Sequence, residues 1–253
     1  MDLGLKGKRV LVTGGSKGIG LACAEIFAAE GAAVSICARN AEGVEAVVSR
    51  LSDQGATITG SAVDVSQRDA LDGWVTSSAE ELGGIDIVVG NVSALAVSDD
   101  EEAWQAGFDT DMMHSVRLVN AAMPWLEKSD AASITFVSSV SGREIDFTGP
   151  AYGAFKAALV HYAQGLAYRL AAQGIRANTV SPGNTYFPGG IWEGIETGNP
   201  DLFAEALSLN PTGRMARPEE VARAIVFLAS PASSFTTGTN LVVDGALTRG
   251  VQL

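Results

Sequence analysis

Cysteine, histidine, aromatic and basic residues are all scarce in this chain of 253 residues, which has two Cys and two His, with Phe, Trp and Tyr together at 7%. Cys23 and Cys37 lie inside apolar segments with no paired spacing, which argues against a disulfide framework or a cysteine metal knuckle and leaves both as small buried hydrophobes. His114 and His161 fall on different expected helices and lack ligand spacing to Cys, Asp or Glu, so both are read as structural and no metal is expected. With 17 Lys+Arg against 29 Asp+Glu, the formal net charge of -12 repels phosphate backbones and anionic head groups, so neither nucleic acid nor a membrane is an expected partner. No run approaches the ~18 apolar residues of a membrane span. The opening Met1-Asp2-Leu3-Gly4-Leu5-Lys6 lacks the basic start and apolar stretch of a signal peptide, so the expected setting is cytoplasmic and reducing.

What is present suffices for a full core, since 47% of residues are hydrophobic and only 18% charged. Short β-branched runs alternate with longer amphipathic stretches, giving seven expected strands: Arg9–Thr13, Ala33–Cys37, Ile58–Val65, Ile85–Val89, Ile134–Ser138, Ala177–Val180 and Leu241–Val243. Runs such as Ile85-Asp86-Ile87-Val88-Val89 are apolar almost throughout, as strands covered on both faces of a parallel sheet are. Right-handed crossovers then place helices on both sides. The expected fold is a single-domain, doubly wound (Rossmann-like) α/β sandwich over residues 1–253. A long irregular stretch from Pro182 to about Asn199, rich in glycine and carrying Tyr186, Phe187, Ile191 and Trp192, reads as part of a substrate lid around residues 184–210, the alternative being an ordered surface connection.

Directly after the first strand, Thr13-Gly14-Gly15-Ser16-Lys17-Gly18-Ile19-Gly20 opens a helix. Glycines permit a tight turn and close approach to a pyrophosphate, and a helix N-terminus offers it unpaired amides and partial positive charge. The spacing Gly14-x-x-x-Gly18-x-Gly20 differs from the GxGxxG fingerprint. At the tip of the second strand, Cys37-Ala38-Arg39-Asn40 has no carboxylate to hold a ribose hydroxyl. Arg39 presents a planar fork of donors for a 2′-phosphate, with Lys17 able to add a second charge, so NADP(H) is expected in preference to NAD(H).

Further on, Ser138-Ser139-Val140-Ser141-Gly142 ends the fifth strand, and Tyr152-Gly153-Ala154-Phe155-Lys156 puts a phenol and an ammonium four residues apart on one helix face. A phenol transfers its proton readily near neutrality only beside a cation, which Lys156 can be. The Ser139 hydroxyl, at the carboxyl edge of the sheet, can donate to a carbonyl oxygen as negative charge develops there. The stripe Phe155, Leu159, Tyr162, Leu166 on the same helix reads as core or subunit contact.

In these motifs the chain resembles the short-chain dehydrogenase/reductase family, and its 3-oxoacyl-thioester and ketone reductases in particular. The resemblance runs through Thr13-Gly14-x-x-x-Gly18-Ile19-Gly20, Asp64, Asn91, Ser139, Tyr152, Lys156, Arg176-Ala177-Asn178-Thr179-Val180-Ser181-Pro182-Gly183 and the closing Gly238-Thr239-Asn240-Leu241-Val242-Val243-Asp244-Gly245. It implies hydride transfer between a nicotinamide and a carbonyl carbon, with Tyr152 as general acid in reduction and base in oxidation. Ser139 would polarise the carbonyl, and Lys156 would bind the nicotinamide ribose and activate Tyr152. Gly14, Ser16, Lys17, Gly18, Ile19 and Gly20 would hold phosphate, Asp64 and Val65 would lie near the adenine, Asn91 along the cofactor, and Pro182, Gly183 and Thr185 against the nicotinamide. It also implies a homo-oligomer, tetramer or dimer, acting on a small-molecule carbonyl or alcohol.

Three departures stand out. Gly90-Asn91-Val92-Ser93 replaces the family's Asn-Asn-Ala-Gly, Ala246 stands where a second glycine is frequent, and Asp111 falls where the family has a catalytic asparagine. That asparagine holds a relay water through its backbone carbonyl, which aspartate shares, but a carboxylate near Lys156 partly neutralises the charge that activates Tyr152. The leading expectation is an NADPH-dependent carbonyl reductase. The alternatives are an NAD(P)+-linked oxidant of secondary alcohols and a cofactor-binding regulatory or scaffold protein without turnover.

Overall fold

Along the first strand, Val10 and Val12 point into one hydrophobic core and Leu11 into another, the period of two expected of a strand buried on both faces. The computed structural model describes residues 1–251. Its chain order is β1 (Arg9–Thr13), α1 (Gly18–Ala29), β2 (Ala33–Ala38), α2 (Ala41–Asp53), β3 (Ile58–Ala62), α3 (Arg68–Leu82), β4 (Ile87–Gly90), α4 (Glu101–Gly107), α5 (His114–Leu126), β5 (Ser133–Val137), α6 (Pro150–Leu170), β6 (Arg176–Pro182), α7 (Ile191–Gly198), α8 (Pro200–Leu209), α9 (Pro218–Ala229) and β7 (Asn240–Val243). A π-helical turn, Phe108–Met113, joins α4 to α5, and a 3-10 turn, Val140–Gly142, follows β5.

All strand pairs are parallel, in the order β3-β2-β1-β4-β5-β6-β7. One core packs α1, α2 and α9 on the sheet through Phe27, Val47 and Ile225. The other packs α3, α5 and α6 through Trp74, Leu118 and Leu166. The expected seven-stranded sandwich is thus the observed one. Strand order reverses between β1 and β4, which opens a crevice at the carboxyl edge where ligands bind in such sheets.

Several expected bounds shift. The third strand ends at Ala62 rather than Val65, although the Val63 amide still donates to Ala38 O at 2.9 Å. The fourth begins at Ile87 rather than Ile85, although the Asp86 amide still donates to Arg9 O and its carbonyl accepts the Ser133 amide, each at 2.9 Å, while its side chain pairs with Arg9 at 2.7 Å and accepts from Ser129.

The stretch after Pro182 is not irregular to Asn199, since α7 takes up Ile191–Gly198, and α8 follows directly from Pro200. Trp192 of α7 inserts between Phe147 and Phe203, at ring separations of 5.3 and 6.3 Å. Gly194 and Gly198, each with open space around its Cβ position, obscured that helix in the sequence. Asn199 accepts the Leu202 amide at 3.2 Å and Pro200 takes the first helical position, a start signal for α8 that the glycine content masked. Ala246 adopts φ +64, the left-handed region a glycine would enter freely, which accounts for the glycine frequent at that place.

Candidate active site

The turn after β1 is fixed by backbone bonds. Gly14 N and Gly15 N both donate to Cys37 O, at 2.7 and 3.2 Å, tying the turn to the end of β2. Gly14 and Gly18 have φ of +69 and +55. A Cβ on Gly20 would collide with Gly14 O and lie 2.6 Å from Asn91 Nδ2. Asn91 is the clasp: Nδ2 donates to Thr13 O and Gly14 O at 3.0 and 3.4 Å, and its amide donates to Thr13 Oγ1 at 3.0 Å. Gly15 was not singled out by its sequence context, yet a Cβ there would stand 2.6 Å from Ile36. Ser16, half-buried, adjoins Gly43 of α2, and Lys17 at the N-terminus of α1 makes no capping bond.

Arg39 is exposed beyond β2, and its charge helps hold the Asp64 carboxyl below its usual range, behind the larger effect of Ser66, whose hydroxyl and amide donate to Asp64 at 2.8 and 3.0 Å. Val65 is buried behind it. Lys17 reaches away from this corner: its Nζ donates to Gly189 O at 3.3 Å, while the Phe187 ring rests on Gly18, 2.6 Å from where a Cβ would be.

On the other side of the crevice, Ser138 Oγ donates to Lys156 O at 2.7 Å, and Gly142 and Gly153 let the 3-10 turn after β5 pack directly on α6. Ser139 and the helix bearing Tyr152 are thereby held side by side. Lys156 is 2% exposed; its Nζ donates to Val137 O at 3.1 Å, sits 5.5 Å from the Tyr152 ring centroid and pairs with Asp111 Oδ1 at 3.0 Å. Burial alone would push the Lys156 ammonium down, but the Asp111 carboxylate, with a contribution from Tyr152, outweighs it and raises the group above 10.5.

Asp111, equally buried, sits in the π-helical turn. Its Oδ2 accepts the Ala94 amide at 3.0 Å, and its backbone carbonyl accepts Ser115 Oγ at 2.9 Å. The expected neighbourhood of Asp111 and Lys156 is therefore an ion pair. His114 follows it, wholly buried, with neither ring nitrogen partnered among the described residues. Burial pushes it down to about 4, only partly offset by Asp111.

Pro182 and Thr185 are buried at the end of β6, Gly183 packs on Asp244, and Thr185 Oγ1 donates to Gly183 O at 3.1 Å. His161 is exposed on α6, and among the described residues no group of three or more His, Cys, Asp or Glu could hold a metal ion. No helix among them is long and apolar enough to cross a membrane. Sequence reading also missed Ser138, Ser141 and Asp146; a serine whose partner lies five or eighteen residues away has no local pattern to mark it.

The crevice therefore has a glycine turn on one wall and Ser139, Tyr152 and Lys156 on the other. A family profile described as enoyl-(acyl carrier protein) reductase matches residues 14–248. Isoepoxydon dehydrogenase of Penicillium expansum is 44% identical over 256 residues, covering 100% of this chain and 99% of the relative. A 3-oxoacyl-[acyl-carrier-protein] reductase of Chlamydia pneumoniae is 35% identical over 257 residues, covering 98% and 100%. L-sorbose reductase of Gluconobacter frateurii, solved with NADPH and L-sorbose, superposes with a TM-score of 0.91 at 30% identity, covering 99% of this chain and 100% of that one. The chain belongs to the short-chain dehydrogenase/reductase family and is an NAD(P)-dependent oxidoreductase.

Proposed function

We propose that the protein is an NADPH-dependent reductase that converts a ketone to a secondary alcohol, with Tyr152 as the general acid. The observation that carries this reading is the buried Lys156 ammonium, kept charged by Asp111 at 3.0 Å and standing 5.5 Å from the Tyr152 ring. A fixed positive charge beside a phenol favours release of its proton to an oxygen that is gaining negative charge.

The residues present fit a dinucleotide phosphate. Gly14 and Gly18 adopt φ values open to glycine, a Cβ at Gly20 would fill the turn, and the first amides of α1 have no side-chain cap among the described residues. Gly14, Ser16, Lys17, Gly18, Ile19 and Gly20 would hold the pyrophosphate, Arg39 a 2′-phosphate, Asp64 and Val65 the adenine end, and Asn91, Pro182, Gly183 and Thr185 the nicotinamide end. The L-sorbose reductase relative was solved with NADPH, which favours the phosphorylated cofactor here. When bound there, NADPH would supply the hydride for the carbonyl carbon. Ser139 Oγ donates to the carbonyl oxygen and holds it, and Tyr152 gives that oxygen a proton. Lys156 keeps an ammonium beside Tyr152 and would hold the nicotinamide ribose, while Asp111 acts through Lys156, holding its charge and partly offsetting the field that charge puts on Tyr152.

Residues 184–210 act as the substrate lid, with Phe187 and the Lys17–Gly189 contact as its closure onto the glycine turn. Consumption of NADPH and NADH against a panel of ketones and a short 3-oxoacyl thioester tests the reading. Ketone-dependent oxidation, faster with NADPH, is expected. Cofactor binding without turnover on any carbonyl would overturn it and favour a scaffold role.

A further inference from the structure

Beyond Ser139 runs a chain of groups with no part in the hydride transfer. Ser139 Oγ donates to Ser141 Oγ at 3.1 Å, and Ser141 Oγ donates to Asp146 Oδ2 at 2.5 Å. An ionised carboxylate only accepts, so Asp146 takes the single Ser141 proton and turns the Ser141 oxygen into an acceptor facing Ser139. Asp146 is itself anchored, with Oδ1 accepting the Thr148 amide at 2.9 Å and the Thr148 hydroxyl at 2.7 Å. The Ser141 carbonyl lies against Gly153, 2.7 Å from where a Cβ would be, which sets this pair over the turn of α6 that carries Tyr152. Ser141 is half-buried, with its hydroxyl beside that of Ser139, and Asp146 is exposed.

Ser139 has one proton. When it turns to a substrate carbonyl, its bond to Ser141 breaks and Ser141 Oγ is left with an empty acceptor position. A hydroxyl on the carbon next to the carbonyl can fill that position: its O–H donates to Ser141 Oγ while the neighbouring carbonyl oxygen accepts from Ser139. The two serine oxygens are 3.1 Å apart, a spacing suited to oxygens on adjacent carbons. One broken hydrogen bond is then replaced by two, whereas a plain ketone leaves Ser141 unfilled.

We propose that Ser141, oriented by Asp146, is a hydroxyl-binding position, and that the substrate is a ketone bearing a hydroxyl on the adjacent carbon. This rests on the reductase reading above. The test compares NADPH-supported reduction of cyclohexanone and 2-hydroxycyclohexanone by the wild type, Ser141→Ala and Asp146→Ala, with NADPH affinity reporting an intact fold. The wild type is expected to favour the hydroxyketone in kcat/KM by about tenfold or more. Ser141→Ala brings that ratio close to one through a larger loss on the hydroxyketone, and Asp146→Ala, which releases the Ser141 proton, lowers it in the same direction. Should Ser141→Ala lose NADPH binding, the wild-type ratio and Asp146→Ala decide. Equal reduction of both ketones by the wild type, or an equal loss on both in the variants, overturns the hydroxyl position and leaves the reductase reading standing. A wild type that binds NADPH and reduces neither overturns the hydroxyl position, and overturns the reductase reading too when the wider ketone and thioester panel also gives no turnover.

Discussion

The two walls of the crevice are held by different forces. The wall we assign to the dinucleotide is fixed by bonds onto the main chain: the Gly14 and Gly15 amides on Cys37 O, and the Asn91 side chain on Thr13 O and Gly14 O. The wall we assign to the substrate is fixed by side-chain pairs: Asp111 with Lys156 and Phe147 with Trp192 between remote segments, and Ser141 with Asp146 five residues apart. A wall of backbone tolerates no added Cβ but is indifferent to charge and pH. A wall of buried charge tolerates shape changes better than the loss of a partner.

Neutralising one member of the buried pair is the most severe way to break the substrate wall. Asp111→Asn keeps the shape and leaves the Lys156 ammonium uncompensated, with an expected loss of about 3–5 kcal/mol at neutral pH. Its sign with pH is diagnostic. In the wild type the Lys156 value lies above its ordinary 10.5, so the pair's contribution is complete below 10.5 and fades as pH rises through the folded value. In Asp111→Asn, burial dominates, the folded value falls below the unfolded one, and stability rises with pH as the amine neutralises. Denaturant titrations across alkaline pH read the two slopes.

Gly20→Ala breaks the other wall sterically. The added Cβ meets Gly14 O and Asn91 Nδ2, with an expected loss of about 1–3 kcal/mol together with weakened cofactor binding, and no new pH dependence. Thermal unfolding with and without NADPH measures it. Arg39→Asp sharpens the dinucleotide side without touching the fold, because Arg39 is exposed. The ratio of NADPH to NADH affinity is expected to drop by about tenfold or more. An unchanged ratio would remove Arg39 from the 2′-phosphate site.

The smallest effect belongs to His114. Its folded value of about 4 lies below the ordinary 6.5, so the unfolded chain binds a proton that the folded chain refuses, and stability falls as pH drops from 6.5 toward 4. The slope amounts to on the order of 1 kcal/mol over the first pH unit below 6.5. His114→Leu removes it, as melting curves across mildly acidic pH would register.

The same division explains what the sequence made legible. The glycine turn, the seven strands and the Tyr152–Lys156 step are local patterns whose spacing carries their geometry. Arg39 could be placed because it follows β2 directly. The ion pair was foreseen through Asp111, but not the Ala94 amide that shares its carboxylate, nor the His114 ring left without partners. Ser138, Ser141 and Asp146 have no periodicity to betray them, since their bonds exist only once the 3-10 turn lies on α6. Helix α7 was lost among glycines because its apolar residues Ile191, Trp192 and Ile195 span barely two turns, and what stabilises Trp192 and Ile195 is packing against Phe203 and Met215 from later in the chain.

The central claim is that Tyr152 supplies the proton. Tyr152→Phe keeps the ring beside Lys156 and removes only the hydroxyl, so its turnover with NADPH and a ketone that the wild type reduces, measured beside its NADPH affinity, is the most direct test. Cofactor affinity close to that of the wild type with a rate reduced by about 10²–10⁴ is the predicted result. Reduction at a rate near that of the wild type would contradict the account.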